Sequence, residues 1–371
     1  MAKLDSLAFA CMFTLFFGSC QSLEQIPIEY VNPAEISFPP ELRKVAIVNN
    51  CSTPPDSALI LITLAQKSLY DLMHTRGASA YANGDPRIVT ESLAEEIAKQ
   101  NYFETVVICD SALRANDRIP RESKLSQEEV RTLTSNLGVD FIIAVEGVRF
   151  ITGRSVYYLD DYGTYHQVTI DLKAFPTIRT YLPTLKKPMN TLTTTDSIYW
   201  EEVGTKEQIN ARMISEEQIL KEAAEFAGTI PVKYLIPYWK KDARFIYTNG
   251  SIQMRDASVY AREGSWEKAY KLWQEVFNDT KRKKKKLKAA TNIAVYYEMK
   301  DSIAKAVEWA TIAQKLAQKI DKVDQIKDST NVNLRDIPNF YQTSLYVTEL
   351  NKRYASLTKI KMQMSRFNDD F

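Results

Sequence analysis

The sequence predicts an α/β plus all-α chain: a small parallel-sheet α/β domain with an antiparallel β extension, followed by a repeat-like helical domain. Three observations predict it. Residues 41 to about 150 alternate short apolar runs with amphipathic helical stretches. Residues 147–205 read as β segments separated by turn residues. From about residue 249 the pattern changes to helical hairpins whose register repeats.

Residues 1–19 read as a signal peptide. Lys3 supplies the positive start, and the apolar run at 7–17 is shorter than the roughly 20 residues a spanning helix needs. Gly18 and Ser19 then precede Cys20. That order resembles a bacterial lipobox, whose cysteine is acylated and becomes the first mature residue; a plain secretory signal or an uncleaved anchor is the alternative. Residues 20–40 read as a lipid-anchored tether, because Pro27, Pro33, Pro39 and Pro40 fall there without helical periodicity. No later segment is long and apolar enough to cross a bilayer.

The α/β domain is placed at 41–245. KVAIV at 44–48 is a strand buried on both faces. Asp56 and Ser57 are suited to cap a helix running to His74, and 76–85 is a loop. Pro86 opens the next helix, with Val89, Leu93 and Ile97 on one face. Residues 105–108 form a second strand. Ser126 and Glu129 make a capping box for a helix that Gly138 ends, and 139–145 is the third strand. This β-α-β-α-β order implies a parallel sheet with right-handed crossovers. Cys51 and Cys109 each follow a strand, so parallel neighbours would carry both thiols to one sheet edge. In an exported protein a disulfide and two free thiols are the two readings.

The stretches KVAIVNN, LAEEIAKQNYFETVVICD and LGVDFIIAVEGV resemble the small α/β domain at the N-terminus of the TolB and curli-secretion lipoprotein families. NYFETVVICDSALRANDRIPRE, DSIYWEEVG and LIPYWKKDARFIYTNG resemble a family of Gram-negative envelope lipoproteins of unknown function, over nearly the whole chain. That likeness implies a place in the envelope and no activity or site residues.

Further on, 155–159 and 165–172 flank a hairpin loop at 160–164, and 191–200 is another strand. Residues 215–227 are helical up to Gly228, and Pro231 and Pro237 bound a short connection. The helical domain is placed at 246–371. GSWEKAYKLW at 264–273 resembles the turn and second helix of a tetratricopeptide repeat, and 301–313 repeats its register. Ala269 and Ala306 take the small position where paired helices touch; Trp266 and Ile303 take the large one. The two alanines are 37 residues apart, against a usual period of about 34. The basic insert at 281–288 gives the excess. Two such repeats need a further surface to lean on, the first domain or a closing helix near 341–364.

Composition narrows the chemistry. Two His and four Cys among 371 residues argue against a zinc-cluster protein or a His-driven hydrolase, and a net charge of +2 against a nucleic-acid-coating protein. From residue 246 onward there are 23 basic and 15 acidic side chains, and before it 25 and 31. Lys281, Arg282, Lys283, Lys284, Lys285 and Lys286 are either an anionic-surface contact or a solvated inter-helix turn. His166 with Asp160 and Asp161 are the best acid–base candidates, although His166 shares strand parity with Val168, Ile170 and Leu172 and the aspartates suit a turn. His74 reads as a helix-end residue. No phosphate loop, nucleophile elbow or metal-ligand spacing occurs, and no cofactor is implied. YYLDDYGTY and IPYWKKDARFIY concentrate aromatics that serve either a binding surface or a core. Asp-Ser followed by a small or β-branched residue recurs at Ser57, Ser111, Ser197, Ser302 and Ser329, which resembles an O-glycosylation acceptor and equally suits helix capping.

The expectation is a lipid-anchored protein of the cell envelope, at the outer membrane, acting as a non-catalytic protein-binding scaffold. It meets the membrane through its lipid, a protein partner through its helical repeats, and no nucleic acid. The alternative is an oligomeric assembly or secretion accessory of the outer membrane, for which 151–175 would form an apolar-out strand pair. An enzyme using His166 comes third.

Overall fold

The computed structural model of the chain describes residues 23–51, 79–109, 112–114, 124–160, 162–326 and 333–370. It divides into two compact units with interleaved segments. Of the described residues, an α/β unit takes those within 33–238 and 362–370, and a helical unit those within 23–32 and 239–361. The expected boundary at 245/246 lies within a few residues of the changeover at 238/239; that the helical unit also takes residues before Pro33 is a correction.

The tether is corrected as well. Leu23–Asn32 form strand β1, with Ile26, Ile28 and Tyr30 buried in alternation. Pro27 is exposed between them, which a strand with a free edge tolerates because no ladder donor is needed there. Ala34, Ile36 and Phe38 are buried as well. The signal peptide, Cys20 and His74 lie outside the described residues.

In the α/β unit, β2 (Lys44–Asn49) lies between two parallel neighbours, β4 (Thr105–Cys109) and β5 (Phe141–Tyr158). Val45, Ala46, Ile47 and Val48 are all fully buried, as a continuous apolar run with cover on both faces requires. The stretch at 79–83, expected as loop, is instead β3 (Ser79–Asn83), antiparallel to β5. Helix α1 (Pro86–Lys99) starts with Pro86 in its first turn and Asp85 capping Arg87 N. It buries Val89, Leu93 and Ile97. Helix α2 (Gln127–Leu137) carries the expected capping box of Ser126 and Glu129, and Gly138 ends it at φ 65°.

The expected third strand and the first hairpin strand are one element. β5 runs 18 residues, pairing with β2 at its start and with β6 (His166–Tyr181) along its length, with an irregularity between Val145 and Gly147. The expected strand at 191–200 is split into β7 (Asn190–Thr193) and β8 (Asp196–Gly204), both paired with β6. A single mixed sheet of seven strands results, ordered β4-β2-β5-β6-β7, with β3 on β5 and β8 on β6. α3 (Lys206–Arg212), α4 (Glu216–Thr229) and α5 (Val232–Leu235) follow. α4 crosses α1 closely: a Cβ at Gly228 would come within 2.6 Å of the Ser92 Cβ and 2.7 Å of the Val89 carbonyl. The C-terminal residues close the unit. Gln363 bonds both backbone groups of Ala34, and the Arg366 guanidinium stacks 3.9 Å from the Tyr102 ring while donating to the Phe38, Pro39 and Tyr102 carbonyls.

Cys51 and Cys109 are free thiols in this structure. Their strands are parallel neighbours as expected. Cys109, however, sits level with Val48 on the β4 side, whereas the Cys51 thiol donates to the Val145 carbonyl on the opposite, β5 side. Burial, with Glu146 nearby, pushes the Cys51 thiol up to about 12, so it stays neutral.

In the helical unit, β1 pairs with β9 (Tyr238–Tyr247) in a two-stranded sheet. Next come α6 (Ile252–Arg262), α7 (Trp266–Asp279), α8 (Lys283–Met299) and α9 (Ile303–Ile320), joined by links of three residues. Such links make consecutive helices antiparallel. α10 (Pro338–Met364) follows. Ala269 and Ala306 are fully buried, and Trp273 fills the core beside Ile246, Ala257 and Ile293. Among the described residues no helix is long and apolar enough to cross a membrane.

Candidate functional site

A cleft lies in the helical unit. Its wall begins with β1, from Ile28 to Asn32, and Trp239 of β9. The C-terminal end of α8 adds Glu298 and Met299, the next turn Asp301, and α10 adds Arg353, Ser356, Leu357 and Ile360. The cavity holds about 370 Å³. Trp239 is 66% exposed at its rim.

A buried ionic knot fixes the floor. Glu298 has no exposed side-chain surface, an expensive position for a carboxylate unless it is fully paired. Arg244 of β9 meets it with two parallel bonds, Nε to Oε2 at 2.8 Å and Nη2 to Oε1 at 2.9 Å. Arg353 donates to Oε1 at 2.5 Å and Tyr346 to Oε2 at 2.8 Å. Burial works against the charge on Arg244, but Glu298 and Asp242 raise its pKa and keep it protonated. Burial, and then Glu298, push the Tyr346 phenol well above its usual range. Tyr30 joins β1 to the knot: its ring lies 4.0 Å under the Arg353 guanidinium, and its hydroxyl donates to Glu349 at 2.9 Å. Asp301 has φ 53°, and its exposed carboxylate is 3.4 Å from Arg353 Nη2.

The cleft thus offers an apolar wall of Met299, Leu357 and Ile360, an exposed indole, one guanidinium and the carboxylates of Glu29, Glu298 and Asp301. β1 has a single strand partner among the described residues. An extended chain segment suits such a site, taking main-chain bonds from the strand and seating side chains in the cleft.

The residues singled out from sequence do not converge here. His166 lies on β6 with its ring 5.4 Å from Tyr158 and its Nδ1 buried without a hydrogen-bond partner. Asp160 accepts from the Thr164 and Tyr165 amides, as a turn residue does; Asp161 lies outside the described residues. Tyr157, Tyr158, Tyr162 and Tyr165 around that turn are exposed. On the hairpin face away from Val168, Ile170 and Leu172, Ile151 and Phe175 share space with Gly153, Ser155, Gln167, Asp171 and Lys173, so the face is mixed and not apolar throughout. Ser197 is exposed at the start of β8 and Ser302 sits at the N-cap of α9 without a side-chain cap bond. Ser57, Ser111 and Ser329 lie outside the described residues. Asp301, the residue before Ser302, turns toward Arg353. Lys281 and Arg282 precede α8, and Lys283–Lys286 form its first turn; the basic run is thus a helix start and not only a turn.

The ionic knot was missed. Its one local signal is a lone Glu298 closing the apolar stretch Ile293 to Tyr297, and its partners lie 54 and 55 residues away.

The chain belongs to the family described as a domain of unknown function, DUF8603, whose model matches residues 42–247. A second domain of unknown function, DUF6340, matches residues 255–352. No curated protein matches the chain.

Proposed function

We propose that this protein is a lipid-anchored scaffold of the cell envelope, acylated at Cys20 at the outer membrane, that binds a protein partner without catalysing a reaction. The observation that supports the reading is the cleft beside β1: a strand with one partner, an apolar helix wall and an exposed tryptophan. The finer fold reading also belongs here. The helix pairs α6–α7 and α8–α9 act as tetratricopeptide-like hairpins, closed by α10. The buried alanines at 269 and 306 support it, because small residues let paired helices approach.

A photo-crosslinker in place of Trp239, in the acylated chain in native envelopes, tests the partner reading. A single crosslinked protein whose peptide maps to the cleft, and whose capture falls in Leu357→Asp but not in Tyr162→Ala, is the expected result. Equal capture by all variants would remove the cleft from the account. Intact mass of the chain against its Cys20→Ala variant reads the acylation separately.

A further inference from the structure

Six basic residues in a row need an explanation. Lys283, Lys284, Lys285 and Lys286 occupy the first turn of α8 with no acidic residue among them. The N-terminal end of a helix carries partial positive charge, so lysines there are unfavourable by several tenths of a kcal/mol each. Among the described residues, none of Lys281 to Lys286 has a carboxylate within ion-pair distance. Lys281, Arg282, Lys283 and Lys284 are exposed, and Lys286 lies over the Phe277 ring at 5.0 Å. The fold leaves this charge uncompensated.

A second observation says what meets it. α6 and α8 are separated by the antiparallel α7, so their first turns lie at the same end of the helical unit. Lys288 of α8 bonds Asn249, two residues before α6 is capped by Ser251. Neighbouring Thr248 lines one cleft of about 400 Å³ with Leu23, the first residue of β1. On α6, Ile252, Arg255, Val259 and Arg262 recur at helical spacing, with Ile252 and Val259 exposed; Arg262 pairs with Glu24 at 2.9 Å. Exposed apolar and basic residues on one helix face are a pattern of interfacial helices. Cys20 is three residues before Leu23, and three residues span at most about 11 Å. An acyl chain on Cys20 would therefore hold Leu23, and the cleft it lines with Thr248 and Arg255, about one Debye length from the headgroups.

We infer that this end of the helical unit docks on an anionic lipid surface, with Lys281 to Lys286 and Arg255 against headgroup phosphates and Ile252 and Val259 at the interface. The inference rests on the acylation of Cys20 proposed above. It assigns the anchored protein a fixed orientation, basic end down.

The test is partition of the acylated full chain onto vesicles of phosphatidylcholine alone or with phosphatidylglycerol. The comparison is with Lys281→Gln/Lys283→Gln/Lys284→Gln, whose exposed sites leave the fold intact, a point thermal melting confirms. The triple variant should partition on the order of a hundredfold less onto anionic vesicles and equally onto neutral ones. The gap should shrink as salt rises. Equal partition of both chains onto anionic vesicles would overturn the inference. So would release of the wild-type chain by inorganic phosphate at matched ionic strength, which would mark a site for isolated phosphate. A chain without acyl mass removes the anchoring reading alone; the comparison of the two lipids still decides the surface.

Discussion

The two units both build an apolar core, and the helical unit adds to its own a fully buried carboxylate. The α/β unit buries an apolar lattice in which Val45 to Val48 of β2 and Phe141 to Val145 of β5 are all fully enclosed. The helical unit closes around a carboxylate, Glu298, held by two arginines and a tyrosine. An apolar lattice spreads its stabilisation over many contacts, whereas an ionic knot concentrates it. Damage to the first should be graded, and damage to the second abrupt, because removing one partner strands the others' charge.

The largest expected effect comes from Glu298→Ala. It leaves Arg244 and Arg353 buried without their carboxylate and should cost the helical unit about 3–5 kcal/mol. Calorimetry would show one transition lowered and that of the α/β unit in place; two transitions moving together would break the comparison. Leu93→Ala, at a fully buried position of α1, should lower the other transition by about 2–5 kcal/mol. Next is Gly228→Ala. Its methyl meets the backbone of α1, so despite better helix propensity it should cost about 1–3 kcal/mol, read as a shift in urea midpoint.

Acid should separate the units more gently. Desolvation opposes ionisation of Asp242, but the Ala243 amide and Arg244 outweigh it and hold its pKa at about 2, below the ordinary 3.8. A lowered carboxyl contributes stability that is complete above the ordinary value and is lost as pH falls toward about 2. Solvent screens this carboxylate, so the loss should stay below about 1 kcal/mol. Urea midpoints of wild type and Asp242→Asn should converge across that window; a constant gap would show that Asp242 acts through packing. The smallest effect has the opposite sign. Lys283→Glu should stabilise α8 by about 0.3–1 kcal/mol, because an acid suits that helix end. Thermal melting of the exposed-site variant checks it.

Local signals were legible wherever one residue decides a local geometry. The capping box at Ser126, Pro86 at a first turn and Gly138 at positive φ each need only neighbours in sequence. β1 was misread because four prolines in 20–40 outweighed the alternation of Ile26, Ile28 and Tyr30. Proline stops a strand only where its amide would have to donate. β5 was read as two strands because its apolar pattern changes at Gly147, where its neighbour on the side away from β6 changes from parallel β2 to antiparallel β3. The residues of the cleft could not be gathered from spacing, since β1 ends about 250 positions before α8 begins and Arg353 of α10 lies 55 residues from Glu298.

By itself, the sequence determined the succession β2, α1, β4, α2, the helix ends at Pro86, Ser126 and Gly138, the buried parallel run and the exposed basic stretch. Periodicity, capping and charge act over a few residues, so they can be read along the chain. Only the tertiary structure decided that 23–32 is a strand of the helical unit, that the two thiols face different neighbours, and that Glu298 finds Arg244, Arg353 and Tyr346. Burial and pairing of a charge depend on which distant segments share its surroundings, and no local pattern carries that information.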